Sequence, residues 1–514
     1  MVGGEACAQE MLATWTSSNF WSAAGDEFGY SVYGMPDVDG DGIPDALIGA
    51  VFESPTYGND YGAAYLISSA TGTVLQNPFG DVSGDRFGAC VCAPGDFDGD
   101  GIFDVLVGET EDWYAGNGKV LAYSGATGAS LFELVGPQSG DLFGRTISIA
   151  GDFDADGVAD FFVSAPDYGS AKGGRGRAWL YSGATRAAMF HVNGTSANAW
   201  MEATCGLGDL DGDGCPDFAI GSPGDGPNSE GIATVYSGKS RSVLYSFQGE
   251  ANKDAFGSFV AALGDTDGDG YSDLAVAATG HTVTLGSEGR VYVYSGKTGA
   301  LRFTYDGTHW IEGLGFLPSG CGVDFNGDGF MDIVIGSPLG KGDIPCGGDV
   351  YVYSGKNGLL LYDIRGSIDY GTGEHLGSSL SPIGDINGDG FDDLLVGAPA
   401  NSSVNYWHGQ AYVFGGNDLF LQANQLIYHD YDAATLDLRG GPSGSLACIA
   451  LTAVGTTPTF IPIVVSALDN DGNLSIGGTV PPGLAGTLLT FMGYAVGAGG
   501  SGIIDSIPET ISFQ

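Results

Sequence analysis

The chain has 514 residues, 43% of them hydrophobic, enough for two or more domains and a large core, and this excludes a disordered chain. Its 17 basic and 62 acidic residues leave a formal charge of −45 with no Lys/Arg run, which argues against a nucleic-acid partner, since phosphate binding needs basic clusters. The 91 glycines follow no Gly-X-Y period, so the chain is not collagen; they point to many tight turns, as in all-β folds.

In chain order, "MVGGEACAQE" has neither the basic start nor the apolar core of a signal peptide, although Ala6-Cys7-Ala8 resembles the end of one. No stretch reaches the length of a transmembrane helix, so no membrane span is predicted. "EMLATWTSS", residues 10 to 18, reads as a strand. Then comes "DVDGDGIPDALIGA", four aspartates in nine residues followed by an apolar run. The motif recurs, starting at 37, 96, 152, 209, 265, 324 and 385, 56 to 61 residues apart. Nine residues before each start stands a bulky residue, usually in a Phe-Gly pair such as Phe28-Gly29, Phe87-Gly88, Phe143-Gly144 and Phe256-Gly257. Twelve residues after it comes a small-residue turn such as Gly397-Ala398-Pro399, then a strand such as "GRVYVYSG" and a weaker strand such as "ALRFTYDG". Four short strands per unit and seven units predict a seven-bladed β-propeller, because one blade cannot bury both its faces alone. The last unit lacks a clear fourth strand, so the N-terminal strand is predicted to complete blade seven.

Phe-Gly, the aspartate loop and Gly-Ala-Pro at these offsets resemble the FG-GAP repeat of integrin α-chain propellers and of many bacterial secreted proteins. The resemblance covers about residues 9 to 417. Trp200-Met201, Gly315-Phe316 and Leu376-Gly377 depart from Phe-Gly, and Gly108-Glu109-Thr110 and Ala277-Ala278-Thr279 from Gly-Ala-Pro. These departures are expected to alter local packing at turns, not the fold.

Carboxylates at loop positions 1, 3, 5 and 9, with the carbonyl of position 7, form an oxygen-rich pocket that suits Ca²⁺. The implied ligands are Asp37, Asp39, Asp41, Ile43 and Asp45 in the first loop, and Asp96, Asp98, Asp100, Ile102 and Asp104 in the second. The third offers Asp152, Asp154, Asp156, Val158 and Asp160; the fourth Asp209, Asp211, Asp213, Cys215 and Asp217. The fifth offers Asp265, Asp267, Asp269, Tyr271 and Asp273. The last two, Asp324, Asn326, Asp328, Phe330 and Asp332, and Asp385, Asn387, Asp389, Phe391 and Asp393, carry an amide at position 3 and are expected to bind most weakly. Glycine at position 6 permits the sharp turn. Position 12 of the first loop is Ile48, so the loops are not EF-hands. Up to seven Ca²⁺ are predicted. Metal-free Asx turns are the competing reading, but such turns do not demand four carboxylates each.

Eight cysteines stand at 7, 90, 92, 205, 215, 321, 346 and 448, consistent either with partial disulfide bonding or with small buried strand residues. The six histidines form no metal or catalytic motif and are expected on the surface or in loops. Aromatic residues cluster in the segments joining second to third strands and entering the next blade. Trp113, Tyr114, Trp310, Trp407 and His408 are the candidate ligand-binding residues. From about residue 418 to 514 the repeat stops, and strands with turns predict a small C-terminal β-sandwich. The predicted function is a non-catalytic, extracellular or cell-surface propeller for adhesion, glycan or protein recognition, or surface assembly. The alternatives are a polysaccharide lyase or hydrolase and a filament subunit; no catalytic residue stands apart from the repeats.

Overall fold

The computed structural model describes residues 11–16, 25–53, 60–81, 84–110, 116–169, 174–284, 286–307, 314, 320–340, 347–366, 368–369, 372–400 and 409–416 and, as backbone, the strands between 420 and 513. No helix occurs among the described residues. Seven four-stranded antiparallel sheets follow one another as the blades of a propeller. Blade one consists of Phe28–Met35, Asp45–Ala50, Ala63–Ile67 and Val74–Gln76, each strand bonded to the next. Blades two to six repeat this order. Blade seven takes Ser379–Gly384, Asp393–Ala398 and Gln410–Phe414 from the end of the repeat array and its fourth strand, Met11–Thr16, from the N-terminal side. Thr14 stands opposite Tyr412 and Trp15 opposite Ala411, so the closure expected from the sequence is present. Blade one also meets blade seven directly: the Ser379 hydroxyl donates to the Gly29 carbonyl at 2.9 Å, and Gly34 N–H donates to Ser381 Oγ at 3.0 Å. A cavity of about 380 Å³ along the axis is lined by the first strands of all seven blades.

Burial explains the apolar run after each aspartate loop. Every residue of the second strands Asp45–Ala50, Asp160–Ala165 and Asp393–Ala398 is buried. These strands lie inside a sheet whose two faces are covered by adjoining blades, so neither side chooses polar residues. The fourth strands, such as Val243–Gln248, lie at the rim and alternate between exposed and half-buried. Phe28, Phe87, Phe143 and Phe256 are fully buried, each contributing about 1.5–3 kcal/mol relative to exposure. The adjacent glycine lets backbones touch. Gly29 has φ +88°, and a Cβ there would fall 2.3 Å from the Gln410 carbonyl oxygen. A Cβ on Gly397 would in turn fall 2.0 Å from the Gly29 carbonyl. The two glycine motifs are therefore halves of one interblade contact, and a side chain on either would force the blades apart.

Several expectations change. In blade four Met201, not Trp200, takes the phenylalanine position: it is buried and bridges Gly176, while Trp200 is 38% exposed. The spacing from Met201 to Asp209 is one residue shorter than nine, which shifts the motif. In blade six the buried residue at the equivalent place is Leu314; Gly315 and Phe316 lie outside the described residues. Cys90, Cys92, Cys205, Cys215 and Cys321 are free thiols, and burial raises the pKa of each, as expected for unreactive packing residues. His281 lies in the loop after Asp273–Ala278, as expected, but is buried there, with Nδ1 3.1 Å from Asp254 Oδ2.

After the repeats, Phe420–Ala423, Ala433–Arg439 and Leu474–Thr479 form a three-stranded sheet. Ile427–Tyr428, Glu509–Phe513, Leu488–Val496, Leu446–Val454 and Thr457–Ala467 form a second, with Ile503–Asp505 beside Leu488–Val496.

Candidate metal centre

The aspartate loops join the first and second strands of every blade, so all seven lie at one end of the ring. Their internal bonding is nearly identical. The position 1 carboxylate is the hub. In the first loop Asp37 Oδ1 accepts from Gly40 N–H at 2.7 Å and Asp41 N–H at 3.2 Å, and Oδ2 accepts from Gly42 N–H at 2.7 Å. Asp96, Asp209, Asp265 and Asp385 accept the same three donors in their loops. Position 5 accepts the N–H of position 7 in all seven, for example Ile43 to Asp41 Oδ1 at 2.9 Å. The turn requires left-handed backbone at position 6, as the glycines predict, and also at position 4. Six loops carry glycine at position 4, whereas Ala155 adopts φ +59°.

Position 9 is different in kind. Asp45, Asp104, Asp160, Asp217, Asp273, Asp332 and Asp393 are all fully buried at the start of the second strand. Asp45 Oδ2 accepts Val38 N–H at 2.8 Å and Oδ1 accepts Ser69 N–H at 3.2 Å, tying the loop to the end of the third strand. This carboxylate therefore anchors the loop whether or not it also meets a cation. One oxygen each from Asp37, Asp39 and Asp41 lies within 4.8 Å of the others, and Asp96, Asp98 and Asp104, Asp152, Asp154 and Asp160, and Asp209, Asp211 and Asp217 do the same. The donor set is oxygen only and rich in carboxylates, which fits a hard divalent cation: these residues would hold one, and it would neutralise the crowded charge.

The crowding is visible in the proton affinities. Burial, opposed by the backbone N–H donors and reinforced by neighbouring aspartates, pushes Asp45 and Asp160 up to about 6 and Asp393 up to about 7. A carboxyl with a higher pKa folded than unfolded holds its proton more tightly when folded. The chelated protein should therefore gain most from these groups below about pH 4 and lose stability as pH rises toward 7, levelling off above. Melting curves in chelator from pH 4 to 8 check this; stability rising across that window would contradict it.

Blade five departs from the others. Arg302, on Leu301–Asp306, places Nη1 2.8 Å from Asp273 Oδ2 and Nε 3.5 Å from Asp267 Oδ2. The guanidinium already supplies positive charge to positions 3 and 9, so blade five is expected to bind a cation as weakly as the two asparagine loops. Arg302→Gln should raise the calcium affinity of this loop by about tenfold, a gain of ~1.4 kcal/mol. Crystals equilibrated at limiting calcium would show higher occupancy in that loop alone; unchanged occupancy would remove Arg302 from the argument.

Trp113, Tyr114, Trp310, Trp407 and His408 lie outside the described residues. Tyr168, from an equivalent segment, is half-buried and packs on Trp179, with ring centroids 5.2 Å apart, beneath Arg177. The tyrosine of blade three thus serves its own scaffold.

Fold and loops together define a β-propeller with an acidic, cation-competent face. The FG-GAP repeat family matches residues 143–181, 204–236, 256–294, 316–353 and 376–414, so blades three to seven are FG-GAP repeats. Blades one and two repeat the same strand order. The chain is 31% identical over 189 residues to integrin alpha-4 of Xenopus laevis, covering 34% of this chain and 18% of the relative. It is 30% identical over 257 residues to integrin alpha-PS2 of Drosophila melanogaster, covering 44% and 18%. It is also 30% identical over 216 residues to integrin alpha-V of Gallus gallus, covering 39% and 20%. The matched part thus spans about a fifth of these relatives' length. No helix among the described residues is long and apolar enough to cross a membrane.

Proposed function

We propose that this protein is a non-catalytic, calcium-binding recognition propeller acting outside the cell or at its surface, with an extracellular glycan or protein as partner. The observation that carries the proposal is the set of seven aspartate loops of one internal geometry at one end of a ring of FG-GAP type. Cations held there, up to seven Ca²⁺, fix the loops and offset the negative charge. Likeness to integrin alpha chains supports the extracellular setting and the adhesive role. Recognition is assigned to the opposite end, whose connecting segments vary in length while the strands repeat, as on a rigid scaffold that carries function on its loops. Trp113, Tyr114, Trp310, Trp407 and His408 are the proposed anchors, because rigid aromatic rings give large contact area at small entropic cost. The proposed division is a propeller over residues 1–417 and a β-sandwich module over 418–514.

The test is a screen of extracellular glycans and matrix proteins, with and without chelator. Binding that requires calcium and is lost in a Trp113→Ala, Trp407→Ala double variant with an unchanged melt supports the reading. Binding that survives the double variant but is lost when residues 418–514 are deleted refutes the assignment of the face.

A further inference from the structure

We propose a second kind of divalent-cation site, at the end of blade two opposite the aspartate loops, formed by Asp85, Glu109 and the more exposed Asp81. Glu109 ends the second strand of blade two, Val105–Glu109, and pairs in register with Phe87. At the same register blades one and five hold alanines, Ala50 opposite Phe28 and Ala278 opposite Phe256. The corresponding residues of the remaining blades, Ala165, Ser222, Ser337 and Ala398, are also small. Blade two alone puts a glutamate there, and the fold buries it to 1% exposure. Neither Glu109 Oε1 nor Oε2 has a hydrogen-bond partner, nor does Asp85 Oδ2 on a side chain 4% exposed. Unsatisfied carboxylate oxygens at this depth cost several kcal/mol, and burial beside Asp85 pushes Glu109 up to about 8, so the pair is neutralised either by a proton or by a partner of positive charge.

Lys119 supplies only part of it. Its Nζ lies 3.4 Å from Asp81 Oδ1 and 3.8 Å from Glu109 Oε1, so with all three carboxylates ionised the cluster and its one ammonium would carry a net charge of about −2. One oxygen from each of Asp81, Asp85 and Glu109 lies within 4.8 Å of the other two. Two oxygens bound to one calcium at about 2.3–2.6 Å can be up to roughly 5 Å apart, so separations within 4.8 Å are compatible with a shared ion of that size. Charge, donor type and spacing agree on a calcium-sized divalent cation. The site is independent of the aspartate loops and of what the propeller recognises.

The experiment uses the full chain and calcium alone. Crystals of the wild type and of Glu109→Ala are grown in calcium and measured by long-wavelength anomalous diffraction. Glu109→Ala restores the small residue of the other blades and should fold at least as well. An anomalous peak between Asp85 and Glu109 in the wild type, absent from Glu109→Ala while the peaks in the aspartate loops persist, is the expected result. Calcium should also raise the melting temperature of Glu109→Ala by about 2 °C less than that of the wild type. No peak there in the wild type, with the loops loaded, overturns the proposal and leaves Lys119 as the sole counter-ion.

Discussion

Chelating calcium should lower the melting temperature of this protein by about 10 °C. A cation that binds only the folded state stabilises it by RT ln(1 + [L]/Kd) per site. With Kd around 10⁻⁴ M and calcium near 10⁻³ M, each loop contributes about 1.4 kcal/mol and seven contribute about 10 kcal/mol. A propeller of roughly 400 residues has an unfolding entropy of about 0.8 kcal/mol per kelvin, which converts that sum into the stated shift. Fewer than seven strong sites, as Arg302, Asn326 and Asn387 imply, would reduce it proportionately. Scanning calorimetry in calcium and in excess chelator reads the effect directly. A melt that does not move, on protein shown to have held calcium beforehand, would leave the aspartates as metal-free turns.

The next largest effect should come from the strand that closes the ring. Trp15 is buried in one cluster with Phe28, Ile48, Tyr65 and Val413, so it joins blade one to blade seven. Trp15→Ala should cost about 3 kcal/mol and lower the melting temperature by about 4 °C in calcium and in chelator alike. Deleting residues 1–16 should do far more. It removes the partner of Gln410–Phe414 and leaves an open strand edge beside an exposed apolar face, the arrangement that promotes strand pairing between chains. The truncated protein is expected to associate or aggregate on size exclusion; a monomer with the wild-type melt would show that closure is dispensable.

Most of this architecture was legible because the repeat writes it seven times. The left-handed glycine at position 6, the Phe-Gly residue that fills an interblade slot and the missing fourth strand of blade seven are all local or periodic signals. What stayed hidden depends on register between distant residues. Arg302 is 29 positions beyond Asp273, and only the sheet shows that its guanidinium reaches the loop. Glu109 was visible as a departure from Gly-Ala-Pro, but its burial beside Asp85 follows from pairing with Phe87, not from its neighbours in sequence. His281 likewise becomes a buried partner of Asp254 only once the strand ends are brought together. The left-handed turn at position 4 was masked by glycine abundance until Ala155 adopted it without being glycine. Met201 escaped the fixed offset because blade four is one residue shorter there.

The central claim is that the seven aspartate loops hold calcium. Long-wavelength anomalous diffraction from crystals grown in millimolar calcium tests it most directly. Peaks are predicted inside the loops beginning at Asp37, Asp96, Asp152 and Asp209 at high occupancy, with weaker peaks at Asp265, Asp324 and Asp385. Loops that keep their backbone hydrogen bonds yet show no anomalous density would contradict the claim.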